Sequence, residues 1–203
     1  YNIMPDTFTP PPGRPMMDPT RNISDALRLQ PDVLLINYPS NDASAQYDAA
    51  EQMRNFRLRA QVAADAQVAL WICTTQPRNF SDSARIAIQV NTRDSILQVF
   101  GPQSVDFWSG IADTNQRILP IYDSGDGVHL NDAAHNLLEQ RIRQLNIPVL
   151  LADTATAIDL QAFDIWSDLT TTCGDSNFTV YLAVGLTGVA PNNNFFNFDS
   201  YFQ

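Results

Sequence analysis

Two kinds of apolar run alternate between residues 33 and 145. Val33-Leu34-Leu35-Ile36-Asn37 and Val68-Ala69-Leu70-Trp71-Ile72-Cys73 are short and almost continuously apolar. That is the pattern of a strand covered on both faces. A third, shorter strand is predicted at Ser104-Val105-Asp106-Phe107. Between the strands the apolar positions take a helical period. A helix is predicted from Ala45 to Ala66, with Ala49, Met53, Phe56, Ala60 and Ala63 stepping by four and three and Ser44 as its N-cap. A second runs from Ser83 to Phe100, with Ile86, Val90, Leu97 and Phe100 on one side and Gly101 ending it. A last helix spans Asp132 to Leu145, capped by Asn131, with Ala134, Leu138, Ile142 and Leu145 facing inward. Upstream, Pro5, Pro10, Pro11, Pro12, Pro15 and Pro19 make residues 1–20 a loop, before a short helix from Thr20 to Leu29.

Strands alternating with helices imply an α/β fold with a parallel sheet and helices on its faces. The pattern changes after Pro148. From Asn177 to Leu186 apolar residues alternate strictly, with Phe178, Val180, Leu182, Val184 and Leu186 on one face. This reads as a half-buried antiparallel strand. The expected boundary lies near residue 152, between an α/β domain over residues 1–151 and a β-rich module beginning at 152–203.

Composition narrows the partners. A net charge of −10 argues against nucleic acid or an anionic membrane surface, and no apolar run is long enough to span a bilayer. All twelve basic residues are Arg, and Glu51 and Glu139 are the only glutamates beside twenty aspartates. Cys73 and Cys173 are expected as buried thiols, the alternative being a disulfide that would bring two distant segments together, and their spacing suggests neither a zinc site nor a redox motif. Asn22-Ile23-Ser24, Asn79-Phe80-Ser81 and Asn177-Phe178-Thr179 match the glycosylation acceptor triplet, which has meaning in a secreted protein. Trp108 and Trp166 are expected in the core, although either could offer a stacking face to a sugar.

The chain has two histidines, His129 and His135. His129 closes Asp123-Ser124-Gly125-Asp126-Gly127-Val128-His129, a turn-rich loop before the last helix. Asp126 stands three residues upstream, where its carboxylate can accept the imidazole N–H and leave the other ring nitrogen as a base. The alternative is an ordinary surface His beside an Asp. His135 falls on the last helix and reads as structural. Pro39-Ser40-Asn41-Asp42 directly follows the first strand, and ligands of parallel sheets bind beyond the carboxyl ends of strands. The Asn41 amide could donate to a developing oxyanion there, or the segment could be a plain turn. Asp123 to Gly127 also faintly resembles a calcium loop, without its bidentate Glu.

Together these two segments resemble the SGNH hydrolases, the GDSL esterases and lipases. That family's third block, Gly-x-Asn-Asp, stands here as Pro39-Ser40-Asn41-Asp42, and its fifth, Asp-x-x-His, as Asp126-Gly127-Val128-His129. The two are in order and about 85 residues apart. The run Leu130 to His135 and the opening Pro31-Asp32 are also similar, so the resemblance covers residues 14 to 148. It implies a flavodoxin-like three-layer α/β/α sandwich with a five-stranded parallel sheet. It also implies roles for His129 as general base, Asp126 as its orienter and Asn41 as an oxyanion donor, with no cofactor. Two departures stand out. Pro39 replaces the glycine of the third block, and the first block with the nucleophilic serine is absent. Ser24 and Ser44 read as helix-start residues, and Ser40 lies inside the third block.

The expectation is therefore a serine ester hydrolase, acting on small esters or acetylated glycans, of which this chain is an inactive fragment. An unseen N-terminal segment or neighbouring chain would complete the sheet, and without it β-strand Val33–Ile36 would expose an apolar edge. The alternative is a secreted structural, adhesive or carbohydrate-binding protein that reuses the SGNH scaffold.

Overall fold

The computed structural model describes residues 1–147 apart from Pro39. The expected boundary at 152, the strand at Asn177 to Leu186, Cys173 and Trp166 lie outside the described residues. Residues Tyr1–Ile142 form one compact unit.

Three strands, β1 (Val33–Ile36), β2 (Ala69–Cys73) and β3 (Ser104–Val105), form a sheet in the order β1-β2-β3. Both pairs are parallel, with Val33 opposite Ala69 and Cys73 opposite Val105. The register puts Leu34, Ile36, Leu70 and Ile72 on one face. There they meet Met53, Phe56, Ala63 and Ile96 in the main core cluster. The opposite face carries Val33, Trp71, Cys73 and Val105, all buried as well. Both faces are therefore covered, as continuous apolar strands require. Among the described residues β1 pairs only with β2, and its Leu34 and Leu35 are half-buried.

The helices are α1 (Ile23–Arg28), α2 (Asn41–Ser44), α3 (Ala49–Asp65), α4 (Ser83–Phe100) and α5 (Asp132–Gln144). Helices α3 and α4 pack on each other and on β2. The helix expected from Ala45 to Ala66 starts later, at Ala49, because Gln46 takes a positive φ of 60° just before it, and the separate short helix α2 precedes that break. Ser44 consequently closes α2. Asp48 caps α3 instead, accepting the Glu51 N–H at 2.7 Å, an arrangement worth about 1 kcal/mol. Asp82 does the same for α4, and Asn131 caps α5 as expected, accepting from Ala134 at 3.1 Å. Gly101, at φ +48°, ends α4.

The inward face of α4 also differs from the expected stripe. Gln89, Thr92 and Ile96 are its buried residues, while Ile86, Val90, Leu97 and Phe100 are only half-buried. Apolar periodicity missed this face because two of its three residues are polar. Gln89 belongs there because its amide donates to the Gln76 carbonyl at 3.0 Å.

Residues 1–20 are irregular, as their prolines dictate, yet Met4 is fully buried. Arg14 ties this segment to α3 through a two-pronged contact with Glu51, at 2.6 and 2.7 Å. Its guanidinium also lies over the Tyr47 ring at 4.0 Å. Arg59 is buried over Tyr38 and Phe56, Arg78 lies over Phe80, and Arg93 covers the buried Trp108. Cys73 is a buried thiol, and burial pushes its pKa well up. Among the described residues no helix is long and apolar enough to cross a membrane.

Candidate active site

Past Cys73 the chain stays inside the protein. Thr74 continues the ladder by donating its N–H to the Val105 carbonyl at 2.8 Å. Its hydroxyl oxygen accepts the Phe107 N–H, also at 2.8 Å, so one residue fixes where the chain leaves β3. Thr75, Gln76 and Pro77 are buried too, and the segment surfaces at Asn79. Asn37 Oδ1 and Gln76 Nε2, just beyond β1 and β2, are buried without a hydrogen-bond partner.

Asn79 meets the loop that precedes α5. This loop closes on itself through an antiparallel bridge between Asp123 and Leu130, with Ser124 N–H donating to His129 O at 3.0 Å and Asn131 N–H to Tyr122 O at 2.9 Å. Asp123 Oδ1 accepts the N–H groups of Gly125 and Gly127. Asp126 Oδ1 accepts those of Val128 and His129, both at 2.8 Å. Its other oxygen, Oδ2, lies 2.5 Å from His129 Nδ1.

This geometry sets the chemistry of the pair. The backbone N–H of His129, then its ring, then the Val128 N–H hold the Asp126 carboxyl well below the usual carboxylate range. An ionised carboxylate only accepts hydrogen bonds, so Nδ1 of His129 carries the proton. In the neutral ring Nε2 then has the free lone pair, as a general base requires. Both side chains are about half exposed, and Nε2 has no hydrogen-bond partner among the described residues. The carboxylates of Asp123 and Asp126 are taken up by loop N–H groups.

Asn41 is the first residue of α2, exposed, at the carboxyl end of β1. Pro39 lies outside the described residues, Ser40 is buried, and burial raises the Asp42 carboxyl. The structure thus brings Asp126 and His129 into contact. Among the described residues it records no hydrogen bond between either of them and Asn41. His135 lies on α5, half-buried. Asn79 stood out in the sequence only as a glycosylation triplet. Its real signal is position: like Asn41, it lies just past the carboxyl end of an apolar strand.

No family model matches the chain, and no curated protein matches it significantly. Solved structures do. A Bacteroides fragilis protein described as an acylhydrolase aligns at TM-score 0.53 and 23% identity, covering 62% of this chain and 66% of that one. A GDSL-like lipase from Bacteroides thetaiotaomicron aligns at 0.53 and 21%, covering 60% and 64%. A lipolytic protein of the G-D-S-L family from Desulfitobacterium hafniense aligns at 0.52 and 12%, covering 60% and 69%. The chain thus spans just under two thirds of the first two. What these likenesses establish is architecture: the parallel sheet and its helices have the α/β fold of the SGNH, or GDSL-like, hydrolases.

Proposed function

We propose that this chain carries the base and its orienting carboxylate for a serine-dependent carboxylic-ester hydrolase. The observation that supports it most is the 2.5 Å contact between Asp126 and His129, on the loop entering the last described helix of an SGNH-like fold. In this reading His129 Nε2 takes the proton of a serine hydroxyl as its oxygen attacks the ester carbonyl. Asp126 stabilises the imidazolium, which then returns the proton to the departing alcohol oxygen. Water repeats the step on the acyl-serine, releasing the carboxylic acid and restoring the serine. The Asn41 amide donates to the oxyanion. The substrates are small esters or acetyl groups on a secreted glycan, and the protein is itself secreted.

Nε2 has no hydroxyl partner among the described residues. The serine is proposed to come from outside the described residues or from a neighbouring chain. Losing the serine from such a triad costs on the order of 10⁶ in rate, so these residues alone are expected to be inert. Pro39, where the third block has glycine, favours the second reading, a non-catalytic scaffold. Fluorophosphonate labelling of the natural protein, read by denatured intact mass, separates the two. One adduct on a species heavier than 22.6 kDa, lost in His129→Ala, supports the hydrolase. No adduct on folded protein, or a natural chain of only that mass with no partner, supports the scaffold.

A further inference from the structure

The Asp126–His129 pair sits on an exposed loop, yet its geometry is well defined. Part of the reason is internal, in the N–H groups that Asp123 and Asp126 collect. From outside the loop, among the described residues, Asn79 adds three further hydrogen bonds. Asn79 donates its backbone N–H to Gly127 O at 2.8 Å. Its side-chain amide donates to Asp123 Oδ2 at 2.9 Å. Its side-chain oxygen accepts the Ile118 N–H at 2.7 Å. Gly127, at φ +70°, lets Asn79 come this close, because a Cβ there would lie 3.0 Å from the Asn79 Cβ and 3.1 Å from its Nδ2.

We infer that Asn79 is the positioning residue of the Asp126–His129 pair, clamping its loop between the chain leaving β2 and the strand-like segment at Ile118. Asp123 transmits the effect. Its Oδ2 is held by Asn79 while its Oδ1 gathers the N–H groups of Gly125 and Gly127, the residues flanking Asp126. The clamp also occupies both polar atoms of the Asn79 side chain, so its acceptor triplet is engaged within the fold.

The importance of the pair rests on the hydrolase reading, but the clamp is tested without activity. The short Nδ1–H···Oδ2 contact gives His129 a strongly downfield imidazole proton. It is assigned by its loss in His129→Ala, His135 being the only other histidine. Asn79→Ala keeps the backbone bond and loses both side-chain bonds. The resonance is expected to vanish into exchange with water while the sheet's amide spectrum is retained. Asn79→Asp sets a carboxylate against Asp123 and is expected to lose the resonance at neutral pH. Adding Asp123→Asn lets the new amide at position 123 donate back to it, and the resonance is expected to return. A resonance unchanged in Asn79→Ala overturns the proposal. So does a folded double variant that fails to recover it, and this second arm decides alone if Asn79→Ala does not fold. Absence of a fluorophosphonate adduct sinks the hydrolase reading without touching either result.

Discussion

Thr74→Val leaves the shape of the side chain nearly intact and removes one hydrogen-bond acceptor. In the native protein that acceptor serves the Phe107 N–H at 2.8 Å, with Thr74 fully buried and Phe107 only 3% exposed. Water cannot replace the hydroxyl, so the N–H is left orphaned at a cost of about 1–3 kcal/mol. Thr74→Ser is the control. It keeps the oxygen and loses one methyl, worth about 0.8 kcal/mol of burial with a small cavity added. Urea unfolding reads the first number, as a lower midpoint at unchanged slope. Amide hydrogen exchange localises it. Phe107 is expected to lose protection in Thr74→Val and to keep it in Thr74→Ser. A Thr74→Val protein as stable as the parent, with Phe107 still protected, refutes the argument that this hydroxyl anchors the chain leaving β3.

Three further outcomes are expected. Gly127→Ala strains a left-handed backbone by about 1–2 kcal/mol and crowds Asn79; thermal unfolding checks the cost, and the His129 imidazole proton shows whether the loop shifts. The Arg14 guanidinium holds the Glu51 carboxyl below its ordinary value of 4.5. A depressed acid stabilises the fold above that value and loses its contribution as pH falls through the lower folded one. Urea midpoints of Arg14→Met and the parent are therefore expected to differ most near neutrality and to converge in acid. A constant gap would mean that Arg14 acts through packing on Tyr47 alone. Finally, a water-soluble disulfide reagent is expected to spare Cys73 in the native protein and to modify it after denaturation, because burial both shields the thiol and raises its pKa.

The strands were the most legible part of the sequence, because burial on both faces demands unbroken apolar letters. Val33 to Ile36 and Ala69 to Cys73 are strands, and their parallel pairing follows from the helices between them. The helices were less legible where polar residues are buried. The inward face of α4 is Gln89, Thr92 and Ile96, and Glu51, Gln52, Asn55 and Arg59 are buried on α3. Glu51 and Gln89 are held there by partners 37 and 13 residues away, and such partners leave no periodic trace. The Asp126–His129 contact could be read because three residues of turn suffice to bring them together. The contact of Asn79 with Asp123 spans 44 residues and could not.

The stacked arginines have a consequence for how this surface behaves in alkali. Every one of the chain's twelve basic side chains is a guanidinium. A lysine loses its proton near 10.4, whereas a guanidinium keeps its charge beyond pH 12. The layers over Tyr47, Phe56, Phe80 and Trp108 therefore keep their positive partners across the range in which an ordinary protein discharges its amines. Alkaline unfolding, when it comes, does not begin with loss of these side-chain cations. Reagents that acylate side-chain amines have no lysine in this chain to attack.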